Sequence, residues 1–456
     1  MKNKIVYIVH CIDTEGPLYE SLKAKFDRIE DIFNIKIKPT IQNLNNLKLK
    51  KIPLGGVEKK VSSVLSSHLT NYNTNWKKID KMITEIFSKN FRFDYVDSDK
   101  KPWVFNWFCL DHVGYKSNPR RRTLGHHKIH DYYKKVLAKY KNYSDKIFWH
   151  FHPMSTYNEA HRCATSYVNS PDLHTILCRK IIERNFFPSV FRAGFQAERP
   201  DSNLFLEQWI PFDITNMSTF KNKDLDMSLD FKHGRSGDWR RAPKDWSIYH
   251  PDHDDYQKVG NCRRWIGRAL NVMNRIASID QKEIDRAFDQ ANKKGFALVG
   301  FASHDFRNLA TEVKFLHSLI QKSSKKFKTV KFKFCDAKTA FKSLVKKIEN
   351  PKIKPLKFSI KYFPRSKKDF PRIQVKANQG KVFGPQPFLA IKTKKNRYFN
   401  DNFDFSSKNN IWNYAFHSDT IPIEDISIIG VAANDKLGNV CVKKIKIINK
   451  NKIKQL

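Results

Sequence analysis

Apolar residues follow two rhythms along this chain. Short continuous runs at 5–12, 104–110, 146–149, 187–192, 210–215 and 296–302 read as buried strands. Between them, apolar residues recur every three or four positions, the spacing of one helix face. Leu18, Leu22, Phe26, Ile29 and Ile32 predict a helix over 18–33; Ile79, Met82, Ile83, Ile86 and Phe87 predict another over 76–89. Further helices are predicted over 129–137, 171–185, 281–294 and 308–321. Strands alternating with helices indicate βα units around a parallel sheet. Residues 17–100 then form a helical insertion after the first strand. Residues 217–265, irregular and rich in Asp, His, Gly and Arg, form a second insertion with hairpin character.

The rhythm changes after a Lys/Pro-rich linker at 346–358. Short segments at 357–363, 372–377, 388–393, 426–433 and 440–448 are separated by turn residues such as Asn-Gln-Gly and Gly-Pro-Gln-Pro. This is the pattern of a β-sandwich of immunoglobulin-like size. The expected division is an α/β domain over 1–345 and an all-β domain over 359–456.

Composition agrees with two folded cores. The 456 residues exceed the usual size of one, and 40% apolar with 13% aromatic content excludes disorder of the whole. Charge changes the picture more. A formal net charge of +40 attracts nucleic acid, anionic lipid headgroups or anionic sugar polymers. The excess is mostly Lys, accompanied by much Asn and Ile, a bias that AT-rich coding produces without any ligand. The chain shows no Arg-rich arm, helix-turn-helix pattern or Cys/His finger, so no nucleic-acid partner is expected. No run approaches the ~18 apolar residues of a membrane helix, which leaves only peripheral contact with an anionic membrane. Seven scattered cysteines without a CxxC pair read as reduced core thiols. Five apolar residues before His10 are too few for a signal peptide, and a cytoplasmic protein is expected.

The candidate chemistry lies in four polar strings, Ile-Asp-Thr-Glu-Gly (12–16), Trp-His-Phe-His-Pro (149–153), Phe-Arg-Ala-Gly-Phe (191–195) and Ser-His-Asp-Phe-Arg (303–307). Residues at the C-terminal ends of successive parallel strands converge although they are far apart in sequence. Asp13 and Glu15 stand two apart, on one side of an extended strand. One carboxylate could bind a metal while the other takes a proton from water. His150 and His152 share the same spacing, and imidazole is a common Zn²⁺ ligand. Arg192 is a natural partner for Asp213, a carboxylate in apolar company. His304 ends its strand and, with an ordinary pKa near 6.5, could protonate a leaving group. Taken singly, each has a structural reading too: an acidic turn, a histidine pair, an ion pair.

Together these strings resemble the motifs, in order, of NodB-type polysaccharide deacetylases. The likeness is to a branch associated with surface-polysaccharide gene clusters, in which Asp-Thr-Glu-Gly-Pro, Trp-Phe…Asp-His, His-x-His-Pro and Asn- or Ser-His-Asp-Phe-Arg recur together. It covers roughly residues 1–340 and does not reach the β domain. It implies a distorted (β/α) barrel and hydrolytic removal of an N- or O-acetyl group from a sugar or polysaccharide precursor. By that resemblance Glu15, His150 and His152 would hold a divalent metal, most often zinc. Asp13 would be the general base, His304 the general acid, and Arg192 paired to Asp213 would orient the base. The first motif is Asp-x-Glu where better-studied members have Asp-Asp, and the second is His-x-His where they have His-x-x-x-His. The division of base and ligand between Asp13 and Glu15 therefore stays open. His161 and Asp111-His112 are spare candidates for a third ligand or for substrate contact.

Two other functions compete. A degenerate member would bind glycan without catalysis, stacking sugars on exposed Trp239, Trp246 and Trp265. A basic nucleic-acid-binding protein would show a continuous Lys/Arg stripe.

Overall fold

In the computed structural model seven parallel strands close into a barrel. The structure describes residues 4–456 except 117, 119, 122, 123, 156, 160–165, 171, 222–235, 275 and 368. The barrel strands are β1 (Ile5–Thr14), β2 (Phe105–Leu110), β3 (Lys146–Phe151), β4 (Val190–Ala193), β5 (Phe212–Asn216), β6 (Trp265–Asn271) and β7 (Phe296–His304). Neighbours run in chain order from β2 to β7, and β1 lies between β7 and β2 to close the ring. One side of β1 is shared. Ile5–Ile8 pair with β8 (Lys331–Phe334), whereas His10–Thr14 pair with β2.

Alternation along each strand sorts the side chains. Tyr7, Val9 and Cys11 of β1 join Phe108, Phe148, Val190, Phe212, Trp265 and Leu298 in one buried cluster inside the ring. Val6, Ile8 and Ile12 point outward into a second cluster with helices Trp76–Ile86, Lys128–Lys139, Gln281–Lys294 and Leu309–Lys326. The same phase carries Asp13 inward one step beyond Cys11, at the C-terminal mouth.

The insertion after β1 holds six helices, Leu22–Phe33, Ile41–Lys48, Glu58–Val64, Ser67–Thr70, Trp76–Ile86 and Lys89–Asp94. Only the first and fifth show enough turns for their period to be read. The first starts at Leu22, not residue 18, because the Ser21 hydroxyl accepts from Ala24 N and caps it there. Within 217–265 the described residues form isolated bridges, Tyr249 with Ile266 and Pro251 with Val259.

The C-terminal part is two antiparallel sheets around one core. Strands β9 (Lys357–Phe363), β10 (Arg372–Gln379), β11 (Phe388–Thr393), β15 (Ile426–Asn434) and β16 (Val440–Asn449) lie where the alternation predicts them. Four short ones, β12 (Tyr398–Asp401), β13 (Asp404–Phe405), β14 (Ile411–Ala415) and β17 (Lys452–Gln455), were not predicted. The outer face of β11 and β15 buries Phe388, Ala390 and Ala432 against Cys178 and Ile181 of helix Asp172–Arg184. Among the described residues, no helix is long and apolar enough to cross a membrane.

Candidate metal centre

Three donors meet at the barrel mouth. His150 Nε2 and His152 Nε2 stand 2.9 Å apart, and Glu15 Oε1 lies 3.6 Å from His152 Nε2. One ligand atom from each of the three falls within 4.8 Å of the other two. Ligand atoms ~2.0–2.1 Å from a tetrahedral zinc ion are separated by distances of this order. His150 Nδ1 donates to the backbone carbonyl of Arg192, 2.9 Å away across the β3–β4 register. That bond fixes the tautomer and turns the Nε2 lone pair toward the cavity. Burial keeps His150 well below the ordinary imidazole pKa, so it stays neutral. Burial alone would raise the Glu15 pKa, but Arg121 and His152 beside it hold the carboxyl ionised. Two imidazole nitrogens and a carboxylate suit a borderline divalent ion such as zinc.

Asp13 stands outside this trio. Its Oδ1 accepts from Arg192 Nε at 2.7 Å and lies 3.8 Å from His150 Nδ1. Its Oδ2 lies 3.9 Å from His304 Nε2, which is also 3.8 Å from Glu15 Oε1. The β1–β7 register places Asp13 directly beside His304. Burial pushes the His304 imidazole down to about 3, against the upward pull of Asp13 and Glu15. His304 at rest is therefore neutral, not the half-protonated group its ordinary pKa suggests.

The expected Arg192–Asp213 pair does not form. In the β4–β5 register Asp213 stands beside Phe191, so it shares that residue's outward face while Arg192 points inward. Arg192 binds Asp13 and the Ile214 carbonyl. Asp213 instead accepts from Arg264 Nη1 at 2.8 Å, and Arg264 also binds Glu198 at 2.6 Å.

The spare candidates brace the site. Asp111 pairs with Lys180 at 2.9 Å and accepts from His127 N. His112 Nε2 lies 3.2 Å from the Glu15 carbonyl. His161 lies outside the described residues. Trp239, Trp246 and Trp265 offer no sugar platform, because all three are buried. The indoles of Trp239 and Trp246 donate to the carbonyls of Gln196 and Glu283, and Trp265 fills the barrel interior.

Two functional neighbours escaped the sequence reading. Asp305 accepts from the backbone N–H of Glu15 and Gly16, both at 3.0 Å, and from the Tyr133 hydroxyl at 2.9 Å. It clamps the turn that presents Glu15, a turn in which Gly16 takes φ +75°. A carboxylate following a strand-end histidine was its one visible signal. Arg121, which pairs with Glu15, comes from the Arg-Arg-Arg run at 120–122.

A cavity of about 280 Å³ opens over the centre, lined by Asp13, Glu15, His150, His152 and His304. Comparison of the chain with protein-family models and with curated proteins finds no match.

Proposed function

We propose that this protein is a metal-dependent hydrolase that removes an acetyl group from an N- or O-acetylated sugar of surface-polysaccharide synthesis. The observation that carries the reading is the Glu15–His150–His152 donor set beside an arginine-held Asp13 and a histidine on the next strand. In this reading Glu15, His150 and His152 hold the ion, and Asp13 and His304 move protons. When bound there, a divalent ion such as zinc supplies Lewis acidity toward the acyl carbonyl and toward water.

The chain's own residues do the rest. Asp13, oriented by Arg192, accepts a proton from the attacking water. His304 is neutral and 3.9 Å from Asp13 Oδ2, so it is placed to receive that proton and deliver it to the departing nitrogen or oxygen. Arg192 orients the base, and the His150–carbonyl bond orients a ligand. On this reading the barrel is of the polysaccharide deacetylase type, the second domain is immunoglobulin-like, and the reaction is cytoplasmic.

The test is the metal content of purified wild type beside a His150→Ala/His152→Ala double variant. About one equivalent of a divalent ion in wild type, lost in the variant, supports the centre. Acetate release from acetylated sugars then tests the reaction. No metal in either protein after incubation with zinc would sink this reading.

A further inference from the structure

The cavity over the centre carries more cationic side chains than hydrolysis requires. We infer that it seats the phosphates of an acylated sugar diphosphate ester, an inference that rests on the acyl-sugar hydrolase reading. Arg28, Arg120, Arg121 and Arg307 all line it. They come from three places: the helical insertion, the segment after β2, and the turn after β7.

Two of the four are engaged. Arg121 pairs with Glu15, and Arg28 pairs with Glu20 and reaches the Tyr72 hydroxyl at 3.3 Å. Among the described residues Arg120 has one carboxylate within ion-pair distance, that same Glu20 at 3.6 Å, and its side chain stays 33% exposed. Arg307 has no carboxylate within ion-pair distance among the described residues, although it is half-buried and three positions beyond His304. The site's own carboxylates do not supply the missing charge, since Asp13 is held by Arg192 and Glu15 by Arg121.

A guanidinium drawn partly out of water without a counterion is costly, and an anionic ligand offsets that cost. Its planar fork matches phosphate oxygens. The root of Arg307 is fixed as well. Asn73 of the insertion donates from N to the Phe306 carbonyl at 2.8 Å and from Nδ2 to the Asp305 and Arg307 carbonyls at 3.0 and 3.1 Å. A neutral glycan would leave Arg307 and Arg120 unanswered. Two incompletely compensated guanidiniums match the two charges of a diphosphate diester better than the single charge of a uronate. The insertion thereby gains a role, as the wall that carries and steadies the anion site.

Calorimetric titration of the full chain tests this with four probes: inorganic pyrophosphate, uridine diphosphate N-acetylglucosamine, an isoprenyl diphosphate N-acetylglucosamine and a neutral N-acetylglucosamine trimer. A diphosphate probe should bind more tightly than the neutral trimer, and more weakly as salt rises. Its affinity should fall about tenfold or more in Arg307→Gln, further in Arg120→Gln/Arg307→Gln, and recover partly in Arg307→Lys. A preference for the uridine or the isoprenyl ester identifies the carrier. Binding should persist in His304→Ala, which separates it from turnover. If the neutral trimer binds as tightly as the esters, or if the double variant melts like wild type and binds them undiminished, the anion site is refuted. Failure of the hydrolase reading would look different: a bound diphosphate sugar with no acetate release.

Discussion

Asp213 is fully buried beside Glu198, and both carboxyls depend on Arg264. Burial, reinforced by the Glu198 charge, lifts the Asp213 carboxyl well above its usual range. Asp213→Asn should therefore be tolerated, whereas Asp213→Ala leaves Arg264 and Thr215 N short of an acceptor and should cost about 1–3 kcal/mol. Urea denaturation reads the difference, and metal content should be unchanged in both variants. A loss of metal would return Asp213 to the centre. Asp305 behaves in a related way. Burial raises its pKa to about 6, while the unfolded carboxyl titrates near ~3.9. Between those values the folded state binds more protons. The Asp305 contribution to the stability of the metal-free protein should thus fall by about 2 kcal/mol as pH rises from 4 to 6. Asp305→Asn should flatten that slope in urea midpoints taken across the range. The convergence of Asp13, Glu15, His150, His152 and His304 on one mouth was legible because strand ends announce themselves. The partner of Arg192 was not, because pairing depends on the phase between two strands, and one residue of register turns Asp213 to the other face.

The strand ends impose their own tolerances. A Cβ on Gly194 would stand 2.0 Å from His152 Cδ2, so only glycine lets the end of β4 approach the imidazole. Gly194→Ala should push the ring off the donor set and lower metal affinity about 10–100-fold, as loss of an orienting contact does. Competition with a chromophoric chelator measures it; unchanged affinity would mean that His152 is not a ligand. The alternating strands and long helices could be read because each shows several periods of its pattern. The helices Ile41–Lys48, Glu58–Val64 and Ser67–Thr70 could not, having at most two turns each. Similarly, β13 is two residues long and β12 and β17 four, too short for alternation to show. The tryptophans of 239–265 were misplaced for another reason: a region without periodicity suggested surface, yet Trp239 and Trp246 are anchored by indole hydrogen bonds and Trp265 lies inside the ring.

The two parts of the molecule are joined more tightly than a Lys/Pro linker suggests. Asn434 Nδ2 donates to the carbonyls of Pro188 and Trp209, at 2.8 and 2.9 Å, on the barrel side. Tyr398 meets Glu183, and a Cβ on Gly430 would press within 2.5 Å of Ile181. The β domain therefore covers apolar surface of helix Asp172–Arg184, whose chain continues into β4. Deleting 359–456 should expose Cys178 and Ile181 and make the barrel aggregate. Light scattering of the truncated chain checks this, and a monodisperse, metal-binding barrel would show that the cover is dispensable.

The shared edge of β1 has a consequence in time. The strand bearing Asp13 is made before its neighbours, which lie at 105–110, 296–304 and 331–334. At ~5–20 residues per second of synthesis, it waits about 15–60 s for β7. Throughout that interval a strongly apolar β-strand has an open hydrogen-bonding edge, the condition under which chains associate wrongly. The segment that defines the barrel mouth is thus also the one a nascent chain must shield longest, and the rate of elongation between residues 14 and 296 bears directly on how much protein reaches the closed ring.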